Sequence, residues 1–155
     1  KGEIETLLVV NEDLLSSGVE VESLMGVSIV YIGTHKNSTS DLAQVVIPTL
    51  TSFEKRGTFI NRSFLAQGFE QTIPGLAGLL PDMHVFCKLL SGLDEDNKVT
   101  PDPSLIWKNL SSPPKSPFKG MTFTDALRGP LQLESSKWVD LPFVESDAMH
   151  FKKSN

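Results

Sequence analysis

Three short apolar runs constrain the fold most: Leu7-Leu8-Val9-Val10, the β-branched stretch from Val27 to Ile32, and Val45-Val46-Ile47, which Pro48 ends. Continuous apolar runs of this length are how strands covered on both faces read in sequence. The intervening segments carry turn or helix chemistry. Asn11-Glu12-Asp13 closes the first run, Ser16-Ser17-Gly18 is a turn signal, and Val19 to Met25 has room for a short helix that Gly26 stops. Gly33 closes the second run, and Ser38-Thr39-Ser40 offers hydroxyl caps for one helical turn before the third. Strands separated in this way pair in parallel through crossovers. The expectation is an α/β chain with a short, mostly parallel sheet and flanking helices.

Two further helices follow. Pro81-Asp82 opens the first, with Met83, Phe86, Leu89 and Leu90 at helical spacing and Gly92 as its C′ residue. Thr100-Pro101 caps the second, which carries Leu105, Ile106, Trp107 and Leu110. Together these elements make a Rossmann-like domain over residues 1–110. From 111 to 155 the chain reads as an irregular Pro/Ser-rich tail. Ser111 to Pro117 favours extended polyproline, and Phe118, Met121, Phe123, Trp138, Phe143 and Phe151 serve as isolated anchors on a surface.

Composition excludes several functions. At 155 residues the chain can bury one main core, and a net charge of −5 leaves no basic stripe for a nucleic acid. No apolar stretch approaches the ~18 residues of a membrane span, so direct membrane insertion is not expected. The single cysteine, Cys87, excludes an internal disulfide and a thiolate metal site; its helical apolar setting marks it as a small buried hydrophobe. His35, His84 and His150 lack ligand spacing, and Asp94-Glu95-Asp96 lacks the spaced ligands and glycine of a calcium loop, so no metal site is assigned. Asn37, Asn61 and Asn109 begin glycosylation triplets, a pattern common by chance. The Lys-Gly-Glu-Ile start reads as that of a trimmed chain or an excised piece of a longer one.

The densest chemistry lies between Pro48 and Gln71. Glu54-Lys55-Arg56-Gly57-Thr58-Phe59 follows the third strand, where the carboxyl ends of parallel strands meet ligands. Gly57 permits close backbone approach, and Thr58, Asn61 and Gln67 supply donors and acceptors suited to a heterocycle or phosphate. The same residues also suit a β-meander or Ω-loop, with Thr58 and Asn61 satisfying turns and Phe53, Phe59, Phe64 and Phe69 in a satellite core. Both readings stand on the residues alone. No second carboxylate or histidine lies at useful spacing from Glu54, and no catalytic residue is assigned.

The segments "LLVVNEDLLSSG", "STSDLAQVVIPTLTSFEKRGTFIN" and "PDMHVFCKLL" resemble the C-terminal part of the molybdopterin oxidoreductase domain. They look most like the version in the large peripheral-arm subunit of NADH-quinone oxidoreductase, respiratory complex I. Thr39, Ala43, Val45, Val46 and Pro48 fit the family's strand, and Glu54, Gly57, Thr58, Phe59 and Asn61 fit its loop. The departures are Gln44, where the family has aspartate, and Ser63-Phe64-Leu65, where it has Glu-Gly-Arg; Gln67 is retained.

The resemblance implies a vestigial cofactor fold, with Glu54, Gly57, Thr58, Asn61 and Gln67 as the remnant of a cofactor-binding surface. It implies a noncatalytic scaffold with no cofactor of its own, within a parent protein that carries iron–sulfur clusters. Its partners would be the remaining parent domains and other respiratory-complex subunits. Its location would be cytoplasmic and peripheral to the inner membrane, or on the mitochondrial matrix side. The alternative is a piece of an active, formate dehydrogenase-like enzyme whose loop touches molybdopterin guanine dinucleotide.

Overall fold

The computed structural model describes residues 4–94, 98–134 and 136. Glu95, Asp96, Trp138, Phe143, His150 and Phe151 lie outside the described residues. The rest divides into two compact units. One comprises the chain up to Thr51 with Gly75–Phe86, the other Ser52–Pro74 with the chain from Cys87 on.

The first unit is built on the three apolar runs. They form β1 (Thr6–Val10), β2 (Ser28–Gly33) and β3 (Val45–Pro48), paired in parallel in that order. Crossovers carry α1 (Val21–Leu24) and α2 (Ser38–Leu42), so the expected α/β class, parallel sheet and flanking helices are all present. Asn37 caps α2: its side chain accepts from the Ser40 amide, and Ser40 answers through its hydroxyl.

Only the central strand is buried as its apolarity suggests, with Ile29, Tyr31 and Ile32 inside. On the edges Val9 is buried, but Leu8, Val10, Val45 and Val46 are exposed, the last two by about half. One sheet face carries the cluster of Val9, Ile29 and Tyr31, packed by Leu7, Leu14, Leu24 and Ala43. Alternation sends Leu8 and Val10 to the other face. An edge strand with one packed face reads in sequence much like a strand covered on both.

The second unit is antiparallel. β4 (Gly57–Ile60) and β5 (Leu65–Phe69) form a hairpin, and the short β6 (Leu131–Gln132) joins the far side of β5. Ala66 meets Trp107, Phe118, Phe123, Ala126 and Leu133 in one buried cluster. Trp107 comes from α4 (Pro103–Ser111), Phe123 and Ala126 from α5 (Phe123–Arg128). The rings of Trp107 and Phe118 meet edge to face at 5.3 Å, a favoured aromatic geometry. Gly68 permits the close approach of α5, since a Cβ there would stand 3.0 Å from the Leu127 backbone nitrogen.

Three expectations shift in detail. α3 (Asp82–Leu93) runs through Gly92, and the Asp94 N–H donates to the Leu90 carbonyl, so the glycine is helical. α4 is capped by Asp102 with Pro103 in its first turn, one residue pair later than Thr100-Pro101. Residues 113–121 turn tightly instead of extending: Ser116, Lys119 and Met121 donate their N–H groups to the carbonyls of Pro113, Ser116 and Phe118. α5 then starts on a capping box between Thr122 and Asp125. Burial of Phe118 and Phe123, together with these local bonds, outweighs the polyproline preference.

Candidate functional site

The residues singled out between Pro48 and Gln71 fall mainly on the β4–β5 hairpin. Thr58 pairs with Gly68 in register, and Phe59 with Gln67. Since side chains alternate, Thr58 lies on the face that carries buried Ala66, and Gln67 lies on the opposite face with Phe59. Trp107 donates its indole N–H to the Thr58 hydroxyl at 3.0 Å, which engages Thr58 within the unit. Gly57 sits opposite Phe69, whose ring would lie 3.0 Å from any added Cβ. Glu54, half-buried, precedes the hairpin.

The aromatic residues divide in the same way. Phe59 and Phe69 stack at 4.7 Å on the outer face, and Phe53 and Phe59 are 66% and 61% exposed. Only Phe64 packs against the buried cluster. The satellite core expected of the four phenylalanines is therefore a single anchor plus an outer stacked pair. Arg56 bridges further: it pairs with Glu70 at 3.1 Å and lies over the Phe123 ring at 5.0 Å.

Asn61 closes the hairpin. Its side-chain oxygen accepts the Ser63 and Leu65 N–H groups at 2.9 and 3.0 Å, and its carbonyl accepts the Phe64 N–H at 2.9 Å. This is a three-residue corner whose last position takes the left-handed conformation, as Phe64 does at φ 58°. Glycine usually occupies such a position; phenylalanine there costs about 1–2 kcal/mol of backbone strain. The Phe64 ring offsets that cost by packing on the core.

A polar network occupies the carboxyl ends of β1 and β2, where sheets of this type receive ligands. Asn11, itself left-handed at φ 53°, accepts the Thr34 N–H through its side chain at 3.0 Å. Buried Thr39 accepts the Leu14 N–H at 2.8 Å and donates to Asp13. Asn37 donates to the Tyr31 hydroxyl at 2.9 Å, and that hydroxyl reaches the His35 carbonyl. Asp13 is held below the usual carboxylate range, chiefly by the Ser16 hydroxyl. Nearby, Tyr31, Thr34, His35, Lys36, Ser40 and Val46 line an open cleft of about 310 Å³. The Lys36–Asp41 pair at its rim spans 2.9 Å but is largely exposed, so it contributes little.

None of this network stood among the sequence candidates. Its one local signal was Asn37-x-x-Ser40, which fits a capping box; Asn37 also begins the overlapping glycosylation triplet Asn37-Ser38-Thr39. Gln44, a departure from the resembled pattern, also has work: its side chain accepts the Ile29 N–H and its own N–H donates to the Ile29 carbonyl. It stitches β3 to the central strand.

Among the described residues no group of three or more His, Cys, Asp or Glu is placed to hold a metal ion, and no helix is long and apolar enough to cross a membrane. A polar ring system is gripped by convergent charge-assisted or bidentate donors. The hairpin set does not fit such a group. Thr58 and Gln67 stand on opposite faces, and the Asn61 acceptor already serves two amides.

A sequence model of the molybdopterin oxidoreductase family matches residues 10–91. No curated protein matches the chain significantly.

Proposed function

Since this chain belongs to the molybdopterin oxidoreductase family, we propose that it is a noncatalytic scaffold piece of a protein like the large peripheral-arm subunit of NADH-quinone oxidoreductase. In this reading it keeps the strand and hairpin geometry of a cofactor domain and supports an electron-transfer arm whose iron–sulfur clusters lie elsewhere in the parent. Its partners are the remaining parent domains and neighbouring respiratory-complex subunits. Its place is the cytoplasmic or matrix side of the inner membrane.

The observation that supports this reading most is the engagement of the hairpin's polar groups inside their own unit: Thr58 by Trp107, and Asn61 by the Ser63 and Leu65 amides. A buried polar group without a partner costs ~1–3 kcal/mol. A loop that no longer meets a ligand is stabilised by recruiting partners from its own chain. The second reading, a piece of an active formate dehydrogenase-like enzyme, draws on the cleft beside Tyr31 and Lys36 at the strand ends.

Molybdenum and tungsten analysis of the full-length parent, with fluorescence of oxidised pterin, separates the two. Background levels of both are expected. Stoichiometric pterin and metal would replace the scaffold reading with the active-enzyme one.

A further inference from the structure

At the hairpin corner the backbone groups of Ser63, Phe64 and Leu65 are all engaged. The N–H groups of Ser63, Phe64 and Leu65 would be its natural donors to an anion or a heterocycle. All three are spent: Ser63 and Leu65 donate to the Asn61 side chain, and Phe64 to the Asn61 carbonyl. The carbonyls are engaged as well. Ser63 and Phe64 accept from the Gln132 side-chain amide at 3.0 and 3.5 Å, Phe64 accepts the Leu133 N–H at 2.9 Å, and Leu65 accepts the Asn61 N–H at 3.0 Å.

Packing agrees with the hydrogen bonds. The strained Phe64 lies against the cluster that contains Leu133, which is 1% exposed. Residues 131–133 thus hold the corner from outside, Asn61 closes it from within, and Phe64 anchors it to the core. Gln132 is suited to its role because its amide carries two donors among the Ser63 carbonyl at 3.0 Å, its neighbour Leu133's at 3.1 Å and the more distant Phe64 carbonyl at 3.5 Å. A carboxylate there would present only acceptors.

We propose that residues 131–133 are a built-in strap occupying the binding edge of the 61–65 corner, so that this corner's partner is the chain's own segment. The strap deepens the scaffold reading and rests on it for its meaning: the loop changed partner from a ligand to protein.

Amide hydrogen exchange on the full 155-residue chain tests it. The Ser63, Phe64 and Leu65 amides are expected to be protected in the unsubstituted protein. Asn61→Ala should speed exchange at Ser63 and Leu65 on the order of tenfold, the effect of losing one hydrogen bond's worth of local stability. Asn61→Asp retains the acceptor and should preserve protection. At exposed Gln132, exchange at Phe64 and Leu65 should rise in the order Gln, Ala, Glu, an ordering that generic loss of packing would not give. Unprotected corner amides in the unsubstituted chain, or Gln132→Glu exchanging no faster than Gln132→Ala, would overturn the strap. Pterin in the parent alongside the expected exchange pattern would sink the scaffold reading and leave the strap standing.

Discussion

The unit built on β1–β3 and the unit built on β4–β6 are held by different means. In the first, the central strand buries Ile29, Tyr31 and Ile32, and polar side chains tie the loops at its end: Asn11 to Thr34, Thr39 to Leu14, Asn37 to Tyr31. In the second, an aromatic cluster closes over a hairpin whose corner is strapped by a later segment. The family match explains part of the contrast. Residues 10–91 include β2 and β3 and the whole hairpin, but of the six buried residues in the second unit's cluster only Ala66 falls within them. The family segment supplies the hairpin, and the later chain supplies its cover.

The largest test of that difference is the core. Phe123→Ala, at a position 1% exposed, should cost about 3–5 kcal/mol, and Ile32→Ala, fully buried in β2, about 2–5 kcal/mol. Denaturant unfolding followed by amide exchange in each unit reads both. A Phe123→Ala loss below that range would mean that the aromatic cluster does not hold the second unit together.

Gly68→Ala comes next. The new methyl would stand 3.0 Å from the backbone of α5, and helix backbone cannot yield as a flexible side-chain tip can. A loss of about 1–3 kcal/mol is expected in the second unit, as for other overpacked sites. A neutral thermal melt would mean that α5 shifts freely on the sheet.

A matched pair of polar substitutions follows. Thr39→Val strands the Leu14 N–H in the first unit, and Thr58→Val strands the Trp107 indole N–H in the second. Each should cost about 1–3 kcal/mol, with Thr39 the dearer because it is fully buried while Thr58 is half-buried. Equal losses in equilibrium unfolding would show that burial does not set the difference.

The smallest effect is in acid. Asp13 in the first unit and Asp125 in the second are both held below the usual carboxylate range, by the hydroxyls of Ser16 and Thr122 respectively. A depressed folded value adds stability above the ordinary carboxylate range, and that stability is lost as pH falls through the depressed value. Ser16→Ala and Thr122→Ala should each flatten this acid limb slightly. Melting temperatures taken across the acid range test this, and an unchanged limb would assign the two hydroxyls no part in it.

Much of the first unit was legible in sequence. The β-branched runs mark all three strands and Pro48 closes β3; the helical spacing after Pro81 marks α3, whose residues from Cys87 on belong to the second unit. The second unit was less so. The tail looked irregular because Phe118, Phe123 and Leu133 share no period; they come from a turn, a helix and a strand end that meet only in space. At the candidate site, Thr58 and Asn61 were found by their chemistry, yet chemistry alone could not tell a ligand partner from an internal one. Trp107 lies 49 positions from Thr58, and Gln132 lies 69 from Ser63. No local pattern announces such pairs.

Local preferences by themselves determined the class and the family: side-chain period, β-branching, caps and the fixed offsets of the strand-and-loop motif are written within a few residues of one another. Where the polar groups of that motif go was decided by tertiary structure. A hydroxyl or an amide is satisfied by whichever partner the folded chain brings within about 3 Å, and that is set by segments far away in sequence.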